Sequence, residues 1–457
     1  MISTSGRGIS LLTLAMAALL AVVYLSACGG GEPEPARTER QLNVVIVLVD
    51  TFRADHAGCY GYSRETTPTL DSLAEAGTRF ARFQSQSSWT LPAMTSLLTG
   101  LTVRQHGAGR KGQDFFGISP GLPYLPHLLS SSGYSTGAFF NVIFMDADFG
   151  FHRGFDHFDC RGFTNRMSLR RADETVDECI GWMDSLSSER PFLAVLHFYD
   201  PHTSYNPPPP FDTLFTDPAY VGEYGPEWGK VPQLMAVNRG GETIPPDGLN
   251  NLIALYDGEL AFTDAQLGRL LAHLRELGLD ERTLVVVTAD HGEEFLDHGG
   301  VEHGHTLYQE LLAVPLVLAG PGIPRGAVVE EPAAGIDLTP TVLALLDMEV
   351  PPDCAGVDLL AGIPAGRSIP SSGTLWAEGR QVCSLRDWDK VIWNVDSDSA
   401  FGFDLLADPE ESVPLPPDSL VLEQLLTYWA TPPLEEPRAV DYEAAVDRTL
   451  RDLGYIR

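Results

Sequence analysis

Three apolar runs in this chain end in an acid. Residues 43–49 lead to Asp50, 191–199 to Asp200 and 283–289 to Asp290. A carboxylate at the C-terminal end of a buried strand lies where open α/β sheets place their ligands. Asp290 is followed by His291 and Gly292, a strand-to-loop turn on which two ligand-type side chains can converge on one cation. A fourth stretch, Ser88-Trp89-Thr90-Leu91-Pro92-Ala93-Met94, reads as the start of a helix. Pro92 suits a first turn, where backbone N–H groups lack intrahelical partners. Leu97 and Leu98 face a core, and Gly100 ends the helix. Thr90 is expected at the N-cap, where free N–H groups and the positive dipole end favour an anion. Asp50, the Thr90 hydroxyl, Asp290 and His291 form an oxygen-rich set with one nitrogen. Such a set suits one divalent ion, Mn or Zn before Ca, better than a soft metal. The plain alternative is that Thr90, Asp290 and His291 only cap helices.

His202 follows the second acid-ended strand directly and shares its edge. His298, His303 and His305 lie in a segment without helical spacing, read as a loop at the same edge. No second histidine-rich ligand set is legible. Asp257 and Asp264 fall on a helical stretch without a paired histidine.

The elements that must hold these groups alternate. Strands are expected at 43–50, 135–140, 191–200, 283–290 and 314–319. Helices are expected at 67–77, 125–132, 173–186 and 250–277. That order predicts an α/β fold: a doubly wound, mostly parallel sheet with helices on both faces. Its catalytic domain is expected to span 42–365. The texture then changes to short strands and turns, so a small C-terminal α+β subdomain is expected over 366–457, with helical turns from Leu420 to Leu453. The Pro-rich segment 206–241 reads as a long loop that shapes substrate access.

The formal net charge is −32, which argues against nonspecific nucleic-acid binding. It also steers anions poorly, so an anionic substrate needs a metal or local cations. Arg7, an apolar run over 9–25 and Leu25-Ser26-Ala27-Cys28 look like a bacterial lipoprotein signal. On that reading 1–27 is a signal peptide, Cys28 is lipidated and 28–41 is a flexible tether. The protein would be exported and anchored on the periplasmic or cell-surface side of a membrane. The five later cysteines form no CxxC pair, against a thiolate zinc site.

From about residue 42 to 430 the chain resembles the sulfatase branch of the alkaline phosphatase superfamily. The resemblance is carried by the segments 49–56, 89–100, 200–202, 290–293 and 305–315, and later by 336–341 and 403–409. It implies that Asp50, Asp290 and His291 bind metal and that Thr90 is the nucleophile. It implies that His202 contacts the transferred group, as does His305, or His303 because the loop length is ambiguous. The departures are as informative. Where such sulfatases have Cys or Ser, any residue, Pro, any residue, Arg, this chain has Thr90-Leu91-Pro92-Ala93-Met94. Thr51 replaces a second metal-binding Asp, and Asn141 replaces a Lys at a substrate contact. Lys111, with Arg110 beside it, falls where related chains have an Asn that donates to the reacting group. The pair is read as an anion clamp.

Threonine cannot become formylglycine, so a sulfated Thr90 could not collapse to an aldehyde. A phosphorylated Thr90 can be released by in-line attack of water. The expectation is therefore a metal-dependent hydrolase of a phosphate mono- or diester, acting on a small-molecule, glycan or lipid-headgroup ester. Alternatives are a sulfuric ester hydrolase using Thr directly, a phosphoethanolamine-type transferase, and a lipid-tethered binding module without turnover.

Overall fold

A computed structural model describes residues 42–161, 170–187, 190–375 and 380–441. The expected signal peptide, Cys28 and tether lie outside the described residues, as do the helical turns expected beyond 441. Among the described residues no helix is long and apolar enough to cross a membrane.

The central sheet has eight strands. In chain order they are β1 (Asn43–Val49), β2 (Thr78–Phe80), β3 (Ser135–Phe140), β4 (His157–Cys160), β5 (Phe192–Phe198), β6 (Thr283–Ala289), β7 (Leu316–Ala319) and β8 (Ala327–Val329). Their spatial order is β8-β2-β7-β6-β1-β5-β3-β4. The five strands β6-β1-β5-β3-β4 run parallel, and β7 is antiparallel to both β6 and β2. Every residue of β1, β5 and β6 is buried. The β-branched runs are thus covered on both faces, as a parallel sheet requires.

Helices α1 (Pro68–Ala76), α2 (Thr90–Thr99), α3 (Ala172–Ser185), α4 (Pro246–Glu276) and α5 (Leu338–Leu345) complete the layers. The long α4 packs against α1 and α3, whereas α2 packs against α5. Asp264 on α4 accepts from the backbone N–H groups of Thr69 and Leu70, so it caps α1. The segment 206–241 is not all loop: it contains a helix at Val231–Asn238. The loop expected over 297–302 is not all loop either, because its Val301–Glu302 pairs with Glu294–Phe295 as a short hairpin.

The C-terminal part is an antiparallel meander of β9 (Ser368–Ser372), β10 (Gln381–Arg386), β11 (Asp389–Asn394) and β12 (Ser399–Asp404), followed by α6 (Ser419–Ala430). Its inner face shares one apolar cluster with the catalytic part, where Leu307, Leu312 and Ile336 meet Ile369, Leu385 and Phe403. The described residues from 42 onward form one compact unit. The five cysteines after residue 41 are free thiols.

Candidate active site

Strand register builds the first half of the site. Val49 stands opposite Phe198 on one side and Ala289 on the other. Asp50 and Asp290 therefore leave adjacent strands side by side, roughly 4.8 Å apart by strand spacing. Leu48 pairs with His197, and side chains alternate along a strand, so His197 shares the face of Asp50. His197 Nε2 lies 3.5 Å from Asp50 Oδ2. Beyond β6 the chain must turn tightly, because a Cβ at Gly292 would meet the Glu310 carbonyl at 2.0 Å. Only glycine fits there. The turn aims His291 inward. Its Nε2 stands 3.2 Å from Asp290 Oδ2, 3.6 Å from Asp50 Oδ1 and 3.4 Å from Thr90 Oγ1. Its Nδ1 lies 2.9 Å from the Gly292 carbonyl, which can only accept, so Nδ1 is the donor there and Nε2 is the nitrogen turned toward the carboxylates.

Thr90 is not the N-cap. Trp89 holds that place in an extended conformation, and Thr90 is the first helical residue. The Thr90 hydroxyl is thereby free of a capping bond and faces His291. Gly100, at φ 70°, ends the helix as expected.

The pocket asks for a cation. Both oxygens of Asp50, Oδ2 of Asp290 and both nitrogens of His197 are buried without a hydrogen-bond partner. A buried, unpartnered carboxylate costs several kcal/mol by the usual reckoning (~3–5). Burial and then the charge of Asp290 push the Asp50 carboxyl well up. Burial raises Asp290 as well, against the opposing pull of His291. One donor atom each from Asp50, His197 and Asp290 lie within 4.8 Å of one another. These residues fit a divalent ion. Asp200 keeps the plain role: it accepts from the Ala172 N–H at the start of α3, and burial pushes its carboxyl to about 7.

A second half closes over the first. The His202 ring stacks on Tyr199 and meets the His303 ring at 4.9 Å; His303 in turn lies 4.3 Å from the His291 ring. His305 sits apart, with Nε2 2.6 Å from Glu294 Oε2. Burial alone would lower the His305 pKa, but the hydrogen bond and charge of Glu294 raise it. His303 packs on His202 and His291, and His305 lines a cavity of about 1260 Å³ with Glu302, Arg110, Arg239 and Arg380. Lys111 is exposed and lines a neighbouring groove beside Trp89 and Pro92.

Three sequence expectations need correction. Asn141 does not reach a substrate: its amide donates to Thr175 Oγ1 and the His197 carbonyl and accepts from Arg170 Nε. It braces β5 behind His197. Asp257 is not without a histidine, since His56 Nδ1 lies 2.7 Å from it. A second ligand-type group does exist: His202, Glu302 and His303 place donor atoms within 4.8 Å of one another, all buried. Glu302 and His197 escaped the sequence reading. His197 had a signal, a lone polar residue inside the apolar run Phe-Leu-Ala-Val-Leu-His-Phe. Glu302 had none, because the hairpin that turns it inward is a tertiary arrangement.

Comparison with known proteins agrees with this architecture. A family model described as Sulfatase matches residues 42–348. Arylsulfatase K of Mus musculus is 23% identical over 384 residues, covering 75% of this chain and 68% of the relative. Phosphonate monoester hydrolase SpPMH from Silicibacter pomeroyi superposes with a TM-score of 0.68 at 22% identity, covering 85% of this chain and 93% of that one. A structure of BT4656 with its substrate D-glucosamine-2-N,6-O-disulfate superposes equally well, at 0.68 and 18% identity, over 91% of this chain and 98% of that one.

Proposed function

The chain belongs to the sulfatase family of ester hydrolases, and from that premise we propose that it cleaves a phosphate mono- or diester through a covalent bond to Thr90. One observation carries the reading: the Thr90 hydroxyl, 3.4 Å from His291 Nε2, faces a pocket of unpartnered buried carboxylates. The position is a threonine, so the aldehyde route of sulfate release is closed to it. Met94, where the resembling sulfatases have an arginine, is fully buried and contributes no charge.

Asp50, Thr90, Asp290 and His291 would hold a divalent ion, Mn or Zn by the donor set. When bound, that ion supplies Lewis-acid stabilisation of a phosphoryl oxygen and acidifies the threonine hydroxyl. Thr90 Oγ1 gives up its proton to water and attacks phosphorus in line; the Oγ1–P bond forms as the P–O bond to the leaving alcohol breaks, and that oxygen takes up a proton from water. His305, hydrogen-bonded to Glu294 on the cavity wall, stabilises negative charge on the substrate. Water then attacks phosphorus and the Oγ1–P bond breaks, returning the threonine. His202 faces the transferred group, and Arg110 with Lys111 holds the rest of an anionic substrate near the cavity mouth. Export and lipidation at Cys28 belong to the same proposal; palmitate labelling that disappears in Cys28→Ser tests them.

The named relatives favour a second reading, a sulfuric ester hydrolase, since the relatives include arylsulfatase K and a structure bound to a disulfated sugar. Turnover of para-nitrophenyl sulfate, para-nitrophenyl phosphate and bis(para-nitrophenyl) phosphate by the metal-loaded protein separates the two. The phosphate reading requires a phosphate ester to be the better substrate and Thr90→Ala to be inactive. Preferred turnover of the sulfate overturns it.

A further inference from the structure

We propose that His202, Glu302 and His303 hold a second divalent cation beside the first, making the pocket a two-metal site. The inference rests on the metal-site reading of Asp50, Asp290 and His291 given above, and it departs from the single ion expected there. It starts from geometry. The three side chains come from two places, the turn after β5 and the end of the 294–302 hairpin with the residue that follows it, yet their donor atoms lie within 4.8 Å of one another.

The histidines are held as metal-binding histidines are held. His202 Nδ1 lies 2.9 Å from the Thr203 carbonyl, and His303 Nδ1 lies 3.3 Å from Glu293 Oε1. In each ring one nitrogen is fixed on an oxygen acceptor and Nε2 is left to coordinate. His291 is fixed in the same manner by Gly292. The ring contacts of His303 with His202 and with His291 make the two donor groups contiguous.

Glu302 supports the assignment by its backbone. It is a buried, non-glycine residue at φ 71°, a conformation that costs about 1 kcal/mol or more for such a side chain. Among the described residues no donor hydrogen-bonds to its carboxylate. The strained turn brings a carboxylate to the pocket with no hydrogen-bond donor of the described residues on it, only the nearby charge of His305.

Charge balance points the same way. Asp50, Glu293, Asp290 and Glu302 are four carboxylates buried around one pocket. The nearby guanidinium, Arg53, is already bonded to Asp55 and Asp297. The positions where the resembling sulfatases place Arg, Lys and a second Asp are Met94, Asn141 and Thr51, none of them charged. One divalent ion leaves four carboxylates half neutralised, and a second completes the balance while replacing the lost cations opposite a phosphoryl group.

The test is metal stoichiometry, with turnover as a separate readout. The protein is loaded with Zn or Mn, desalted, and its bound metal measured per chain for wild type, Asp290→Asn, Glu302→Gln and His202→Ala. Melting in chelator shows whether each variant is folded before its metal is counted. Two ions in wild type, falling to one in both Glu302→Gln and His202→Ala, are expected. With Mn, exchange coupling between adjacent ions is expected in the paramagnetic resonance spectrum of wild type and lost in those variants. One ion in wild type that is lost only in Asp290→Asn overturns the second site and leaves the first intact. No bound metal overturns both. Two ions that survive Glu302→Gln and His202→Ala are adventitious binding to an acidic chain, and they also overturn the proposal.

Discussion

Asp50 and Asp257 are both completely buried, and the chain treats them in opposite ways. Asp257, on α4, receives His56 at 2.7 Å, Tyr62 at 2.6 Å and Arg64 at 2.6 Å. Asp50, at the end of β1, receives no hydrogen bond at either oxygen. A buried ion with its partners supplied by the protein is structure; one whose partners are withheld is a place prepared for something else. The same contrast recurs at the C-terminal meander, where Lys390 meets Glu411 at 2.7 Å with both side chains buried. Burial of a charge therefore does not mark function in this fold. What sets the end of β1 apart is a buried carboxylate with neither oxygen hydrogen-bonded, beside Asp290 at the end of β6 with one oxygen in the same condition.

Substitutions on the two sides should separate cleanly. The largest effect is expected at Thr90. Thr90→Ala should lower kcat by about 10⁴-fold or more, equal to ~5.5 kcal/mol of barrier, with little change in melting temperature. Asp257→Ala should do the reverse. It strands His56 and Arg64 and should destabilise folding by about 3–5 kcal/mol, read by urea melts, while the folded fraction keeps its specific activity. Asp50→Asn should stabilise the metal-free protein by about 1–3 kcal/mol, because it removes an unpaired buried charge, and should abolish high-affinity metal binding. If the metal-free protein instead loses stability on that change, the two aspartates are not opposites.

The smallest effect tests a partnered histidine. Burial alone would lower the pKa of His298, but the hydrogen bond and charge of Glu310 raise it to about 9. A folded pKa above the ordinary value means stabilisation that is full below about pH 6.5 and is lost as pH rises through the folded value. His298→Gln should cost about 1 kcal/mol near pH 6 and almost nothing above pH 9.5, by melting temperature across that range.

Much of the partnered architecture was legible in the sequence, and for a physical reason. Strands buried on both faces are written as continuous apolar runs, so β1, β5 and β6 and the acids at their ends could be placed from residue types alone. Gly100 marked a stop because its left-handed backbone favours glycine, and Gly292 because the Glu310 backbone leaves no room for a Cβ. Asn141 misled, since an amide looks the same in a sequence whether it faces a ligand or braces a strand. The pairing of His56 with Asp257, and of His202 with Glu302 and His303, joins residues far apart in the chain. Those contacts come from tertiary placement, to which no local periodicity points.

The central claim is that Thr90 carries the transferred group. Its most direct test is an acid quench of the metal-loaded protein turning over bis(para-nitrophenyl) phosphate, followed by peptide mapping for covalent phosphorus. The account predicts a phosphorylated peptide bearing the modification at Thr90, absent from Thr90→Ala. Full turnover by Thr90→Ala, or phosphorus at another residue, would contradict it.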